Sequence, residues 1–165
     1  MTYPDGNLPN MTGIDIREAR PRDVVGLVSS VASLFADEAG TRDHTLDRPP
    51  RQRAATELTL GIADEDRLVL VAADGDQIVG HLTGTVAASA AIRPLRVATL
   101  VGMYVSPAHR DANVGARLVA AFRAWAAERH ADRIALDGYR NDESAVRFHR
   151  HQRFAPRTPV LETTS

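Results

Sequence analysis

The 165-residue sequence has no cysteine. That absence excludes disulfides, thiolate metal ligands and a cysteine nucleophile, so a cofactor and the remaining side chains must carry any chemistry. Lysine is absent as well, because all 20 basic residues are arginine. GC-rich coding is the simple reading of that bias; avoidance of self-modification on lysine amines is the functional one. No run reaches the roughly 18 apolar residues of a membrane-spanning helix, and residues 1–10 lack the basic and apolar blocks of a signal peptide. A cytoplasmic protein without a membrane partner is expected. Charge of one sign is also missing: 20 basic against 21 acidic residues leave a net −1. Nothing in that balance holds a polyanion, so no nucleic-acid partner is expected.

What is present is an ordinary globular composition, 44% apolar and 25% charged, of a length that fits one domain. Residues 1–12 hold turn formers without apolar periodicity and read as a flexible tail ahead of a single domain over 13–165. Alternation from Ile14 to Arg17 predicts a strand. Pro21 then opens a helix whose stripe is Val24, Leu27, Val28, Val31, Leu34 and Phe35. Gly40 ends it, Thr41–Arg53 reads as an exposed loop, and Ala54–Ala63 as a second helix. Leu68–Val71 and Ile78–Val86 form a hairpin about Asp74-Gly75-Asp76, and Val97–Val105 is a third long strand. Val114, Leu118, Phe122 and Trp125 predict a helix from Asn113 to Arg129, followed by a strand at Ile134–Leu136. Asn141 or Asp142 caps a last helix through His151, and Phe154–Leu161 closes the order βααβββαβαβ.

The segment Val101–Ala116, VGMYVSPAHRDANVGA, carries the strongest chemical signal. A strand feeds a short loop and then a helix start, whose free N–H groups and positive dipole end form an anion site. Asn113, Gly115 and Ala116 are small or turn-tolerant enough to let a pyrophosphate approach, while Arg110 and Arg117 add fixed positive charge. Asp111 opposes this unless it caps the helix.

Val105-Ser106-Pro107 followed by Arg110-x-x-Asn113-x-Gly115-Ala116 resembles the acetyl-CoA motif of the GNAT superfamily of N-acetyltransferases, Gln/Arg-x-x-Gly-x-Gly/Ala. Asn113 stands where the first glycine is usual, and asparagine is the next residue most tolerant of a left-handed backbone. The element order and the opening IREARPRD are also similar to the family's. Asn141, Ala145, Phe148 and Phe154 fit its C-terminal spacing; His149 stands at the usual Tyr and Arg153 at the usual Gly.

The resemblance implies an α/β (α+β) fold, a mixed and mostly antiparallel twisted sheet of six to seven strands with about four helices. Its fourth and fifth strands splay apart to admit the pantetheine arm, and Gly102 is placed to permit that splay. By the same carry-over, acetyl-CoA as co-substrate is held by Met103, Tyr104 and Val105, with Met103 and Val105 using backbone groups. The amides of Asp111, Ala112, Asn113, Val114, Gly115 and Ala116 line the pyrophosphate beside the charge of Arg110; Asn141 and Phe148 complete the cofactor site. No metal is implied. A homodimer is usual in the superfamily.

The implied reaction moves the acetyl group to a primary amine of a small molecule by direct attack in a ternary complex; an amino sugar, polyamine, amino acid or antibiotic fits. The amine, with a pKa of about 10, must first lose a proton. A backbone N–H between Met103 and Val105 would stabilise the developing oxyanion. His149 or Tyr139 is the expected acid for the leaving thiolate, with Tyr104 a further donor. No carboxylate lies between Val97 and Val105, so the base is a water relay, or the amine itself has a low pKa. Asp37, Glu38, Asp43 and His44, from the first helix and its loop, are the candidates for that base and could also attract a cationic amine; His81 has a weaker case of the same kind. Two other readings stay open: acetylation of protein N-termini or lysines, and a regulatory module that binds acyl-CoA without turnover. A nucleotide-binding domain fits poorly, because the P-loop Lys-Ser/Thr and a complete Gly-x-Gly-x-x-Gly are both missing.

Overall fold

In the computed structural model the protein is described over residues 13–38, 50–88 and 94–136. Strand β1 (Ile14–Glu18) buries Ile14 and exposes Asp15, as its alternation requires. Pro21 starts a 3-10 turn, Pro21–Asp23. Asp23 accepts two bonds from Arg17, at 2.7 and 3.0 Å, and one from the Arg20 amide at 2.7 Å. This ties the strand to the following helix, and the Arg17 guanidinium foremost draws the Asp23 carboxyl down to about 2.

Helix α1 (Val24–Glu38) places Leu27, Val28 and Leu34 inward. Helix α2 (Arg51–Ala63) begins ahead of the predicted Ala54, with the Ala54 amide bonded to the Pro50 carbonyl at 3.0 Å. Arg51–Arg53 carry no apolar residue, so the hydrophobic stripe alone could not reveal that first turn. Strands β2 (Arg67–Asp74) and β3 (Gln77–Ala88) form the predicted hairpin, with Asp74 paired to Gln77 and Gly75 at φ 59° in the turn. Strand β4 (Arg96–Val105), a 3-10 segment (Pro107–Ala112), helix α3 (Val114–Glu128) and strand β5 (Arg133–Leu136) follow.

The sheet order is β1-β2-β3-β4-β5, antiparallel except for the parallel β4–β5 pair that α3 connects. On one face α3 packs Leu118, Val119, Phe122 and Trp125 against Leu70, Leu82 and Leu100. On the other, α1 and α2 pack Leu27, Val28 and Leu58 against Val69 and Val71. Apolar residues on both sides of β2 and β3 explain why those strands read as continuous hydrophobic runs.

The mixed, mostly antiparallel architecture and the order βααβββαβ agree with the expectation through Leu136. The counts differ: the described residues hold five strands and three α-helices, not six to seven and about four. The predicted last helix through His151 and the strand Phe154–Leu161 lie outside the described residues, as do the tail 1–12 and the loop positions Asp43 and His44.

Candidate functional site

Strand β4 changes character midway. Among the described residues its parallel pairing with β5 covers Val97–Leu100. At that point a register shift against β3 sets Gly84 opposite Leu100 but Thr83 opposite Gly102, so Val101 is an inserted residue. The insertion reverses the alternation. Ala98 and Leu100 before it, and Met103 and Val105 after it, all pack on the α3 side. Gly102 is next to the bulge rather than in it, and a Cβ there would make ordinary contacts with Thr83 Oγ1 at 3.4 Å and Leu34 Cδ2 at 3.5 Å.

Backbone direction follows from the same alternation. The Ser106 amide bonds Val79 of β3 at 2.8 Å, so Tyr104 also turns its backbone toward β3 while Met103 and Val105 turn theirs away. The Val105 carbonyl agrees, since it accepts a bond from Arg110 Nε at 3.0 Å. Both backbone groups of Met103 and the Val105 N–H therefore lie along an edge with no β5 ladder among the described residues. Such an edge can hydrogen-bond an extended ligand or an oxyanion.

The chain then turns sharply. Pro107 opens the 3-10 segment, the His109 amide bonds the Ser106 carbonyl at 2.9 Å, and His109 Nδ1 lies 2.7 Å from Ser106 Oγ. Asn113 adopts the left-handed conformation, φ 60° and ψ 20°, directly before α3. Its side chain makes no capping bond, and the first turn of α3 contains no acidic residue. The first helical bond runs from the Arg117 amide to the Asn113 carbonyl at 3.2 Å, which leaves the N–H groups of Val114, Gly115 and Ala116 pointing out of the helix start. Val114 is fully buried and anchors that turn.

The two flanking arginines are partly engaged with the fold. Arg110 bonds Val105 and lies over the Tyr104 ring at 5.8 Å. Arg117 Nη1 bonds the Ile14 carbonyl at 3.0 Å, tying α3 to β1. Each guanidinium has further N–H donors beyond these bonds.

On the opposite face of β4, Tyr104 is half-buried and pairs with His81 of β3, their ring centroids 6.3 Å apart. His81 is 1% exposed, and its Nδ1 lies 2.6 Å from Ser30 Oγ on α1. Burial pushes the imidazole down from 6.5 to about 4, so it is neutral at physiological pH. Ser30 was not among the residues that the sequence singled out. Its signal was its position: it falls on the stripe between Leu27 and Leu34, where a polar residue needs a buried partner.

A family model described as the acetyltransferase (GNAT) family matches residues 30–154. The chain belongs to that family. Among curated proteins, no sequence matches that of this acetyltransferase. Solved structures share its fold: a transcriptional regulator from Bacillus halodurans C-125 is 24% identical, with a TM-score of 0.75 over 92% of this chain and 99% of that one. The aminoglycoside antibiotic 6'-N-acetyltransferase AAC(6')-Ih from Acinetobacter baumannii is 18% identical, with a TM-score of 0.74 over 92% and 97%. The aminoglycoside N-acetyltransferase AAC(6')-Iy, in complex with CoA, is 15% identical, with a TM-score of 0.77 over 99% of both chains.

Within this acetyltransferase, Met103–Val105 and Arg110–Ala116 are brought together as one half-strand, one turn and one helix start. Tyr139, Asn141, Phe148 and His149 lie outside the described residues. Asp37 and Glu38 end α1, with side chains outside the description. No helix among the described residues is long and apolar enough to cross a membrane.

Proposed function

We propose that this GNAT protein transfers an acetyl group from acetyl-CoA to a primary amine of a small molecule, by direct attack in a ternary complex. The observation that carries this reading is the continuity of the β4 edge beyond Leu100, which has no strand partner among the described residues, with the start of α3, where Asn113 makes no side-chain cap. The donor set fits the coenzyme: backbone N–H groups from Val114 to Ala116 suit a pyrophosphate, and the Met103 backbone suits the amides of a pantetheine arm. When bound, acetyl-CoA supplies an activated acyl thioester.

The chain's own residues do the rest. The Met103 or Val105 N–H is placed to stabilise negative charge on a carbonyl oxygen beside β4. Arg110 holds the Val105 carbonyl and steadies the end of the strand. Asn141 and Phe148 complete the coenzyme contacts in this reading, and His149 or Tyr139 gives the departing thiolate its proton. Asp23 is no candidate base, because Arg17 and the Arg20 amide occupy its carboxylate. In this reading proton removal from the amine runs through water toward Asp37, Glu38, Asp43 or His44, or the acceptor has a low pKa. The aminoglycoside acetyltransferases among the structural neighbours support small amines as the first acceptors to test.

Calorimetric titration with acetyl-CoA, followed by thiol release against glucosamine, spermidine, lysine and sisomicin, tests the proposal. Saturable binding with amine-dependent release is expected. Binding without release would favour an acyl-CoA-binding regulatory module, a reading motivated by His149 in place of the family's tyrosine. Absence of binding would overturn the site.

A further inference from the structure

Three threonines of the sheet, Thr83, Thr85 and Thr99, carry hydroxyls that have no hydrogen-bond partner among the described residues. Threonines elsewhere do not share this: on α2, Thr56 bonds the Gln52 carbonyl at 3.0 Å and Thr59 that of Ala55 at 2.8 Å. Side chains alternate along β3. Leu82 belongs to the α3 layer and the Phe122 ring lies against Gly84, so His81, Thr83 and Thr85 face α1. Ala98 and Leu100 of β4 also pack on the α3 side, which turns Thr99 toward α1 as well. In register, Thr83 stands opposite Gly102 and Thr85 opposite Thr99. Ser30 covers His81 and Leu34 lies against Gly102, but the three threonines stay partly exposed.

This row adjoins the half of β4 that bears the Met103 edge. Thr83 Oγ1 is 3.4 Å from where a Cβ on Gly102 would stand, and Gly102 directly precedes Met103. Leu100 and Met103 pack into the α3 layer, so an acceptor reaches that edge from the α1 side, where the threonines lie. The Thr85–Thr99 pair is two residues farther along β3, roughly 7 Å, so the row is about as long as a sugar ring with its substituents. A threonine hydroxyl both donates and accepts, as a sugar hydroxyl does. Neither β3 nor β4 contains an acidic residue, so these strands offer no fixed negative charge to a second ammonium group. We propose that Thr83, Thr85 and Thr99 form a hydroxyl-recognising floor that selects a polyhydroxylated amine, an amino sugar, as the acceptor. The inference rests on the acetyltransferase reading above and narrows its acceptor class.

Valine removes the hydroxyl while keeping the β-branched shape that suits a strand. The double variant Thr83→Val, Thr99→Val is expected to lower kcat/KM for glucosamine or sisomicin, whichever the wild type prefers, by about tenfold. Its acetyl-CoA affinity, and its kcat/KM for cyclohexylamine, a ring amine without hydroxyls, should stay within about twofold of the wild type. The wild type itself should favour the hydroxylated amines over spermidine, lysine and cyclohexylamine. A wild type that prefers one of those three, a double variant within about twofold on the hydroxylated amine, or an equal loss on cyclohexylamine overturns the proposal. If the wild type turns over no amine, the acetyltransferase reading fails separately. In that event, or if the variant does not fold, the 13C methyl shifts of the three threonines in the wild type, titrated with glucosamine, decide. Saturable shifts support the floor, and their absence rejects it.

Discussion

Asn113 shows how one side chain can substitute for another at a backbone-limited position. Its φ of 60° costs a β-branched residue far more than asparagine or glycine. Asn113→Val should therefore destabilise the protein by about 1–3 kcal/mol and weaken acetyl-CoA binding, while Asn113→Gly should change stability by no more than about 1 kcal/mol. Urea unfolding and calorimetry check both. The left-handed turn was legible in the sequence because only a few residue types tolerate it. Ser30 was not legible as a partner, since its pairing with His81 spans two elements distant in sequence. The His81 imidazole is depressed from 6.5 to about 4, so the unfolded chain takes up its proton at higher pH than the folded one. Stability is full above about 6.5 and falls as the pH drops toward about 4, by at most about 3 kcal/mol from this group. Urea midpoints at neutral and mildly acidic pH should show that slope in the wild type and a shallower one in His81→Asn.

At the scale of elements, the decisive feature is the bulge at Val101, which turns the Met103 backbone away from β3. Two glycines near it should respond differently to substitution. A Cβ on Gly80 would lie 2.8 Å from the Tyr104 carbonyl oxygen, so β3 and β4 would have to separate beside the open edge. Gly80→Ala should cost about 1–3 kcal/mol and reduce turnover further than that stability loss accounts for. Gly102→Ala meets only ordinary contacts and should stay within about 0.5 kcal/mol of the wild type. Thermal melting paired with thiol-release kinetics distinguishes the two. The strands were legible from apolar runs and turn residues, and Gly102 pointed to the neighbourhood of the bulge, but its place at Val101 was not legible. A one-residue register shift leaves no mark in composition, because the partner strand decides it.

For the molecule as a whole, one sheet serves two apolar layers, and neither layer closes without it. Phe122 of α3 is fully buried, and a Cβ on Gly84 would meet its ring at 2.8 Å, so the ring packs directly on β3. Phe122→Ala should cost about 3–5 kcal/mol and lower the denaturant midpoint in a single cooperative transition. The sequence by itself determined the order of elements through Leu136, the left-handed turn into α3 at Asn113 and the absence of cysteine. Those depend on periodicity, turn residues and composition, which are local. Only the tertiary structure decided where the register of β4 shifts against β3, that Arg110 and Arg117 bond backbone carbonyls, and that His81 meets Ser30 beside Tyr104. These depend on which distant segments pack together. Local pattern cannot encode them, because a hydrogen bond across 51 residues of chain or a strand register is set by the joint packing of both partners.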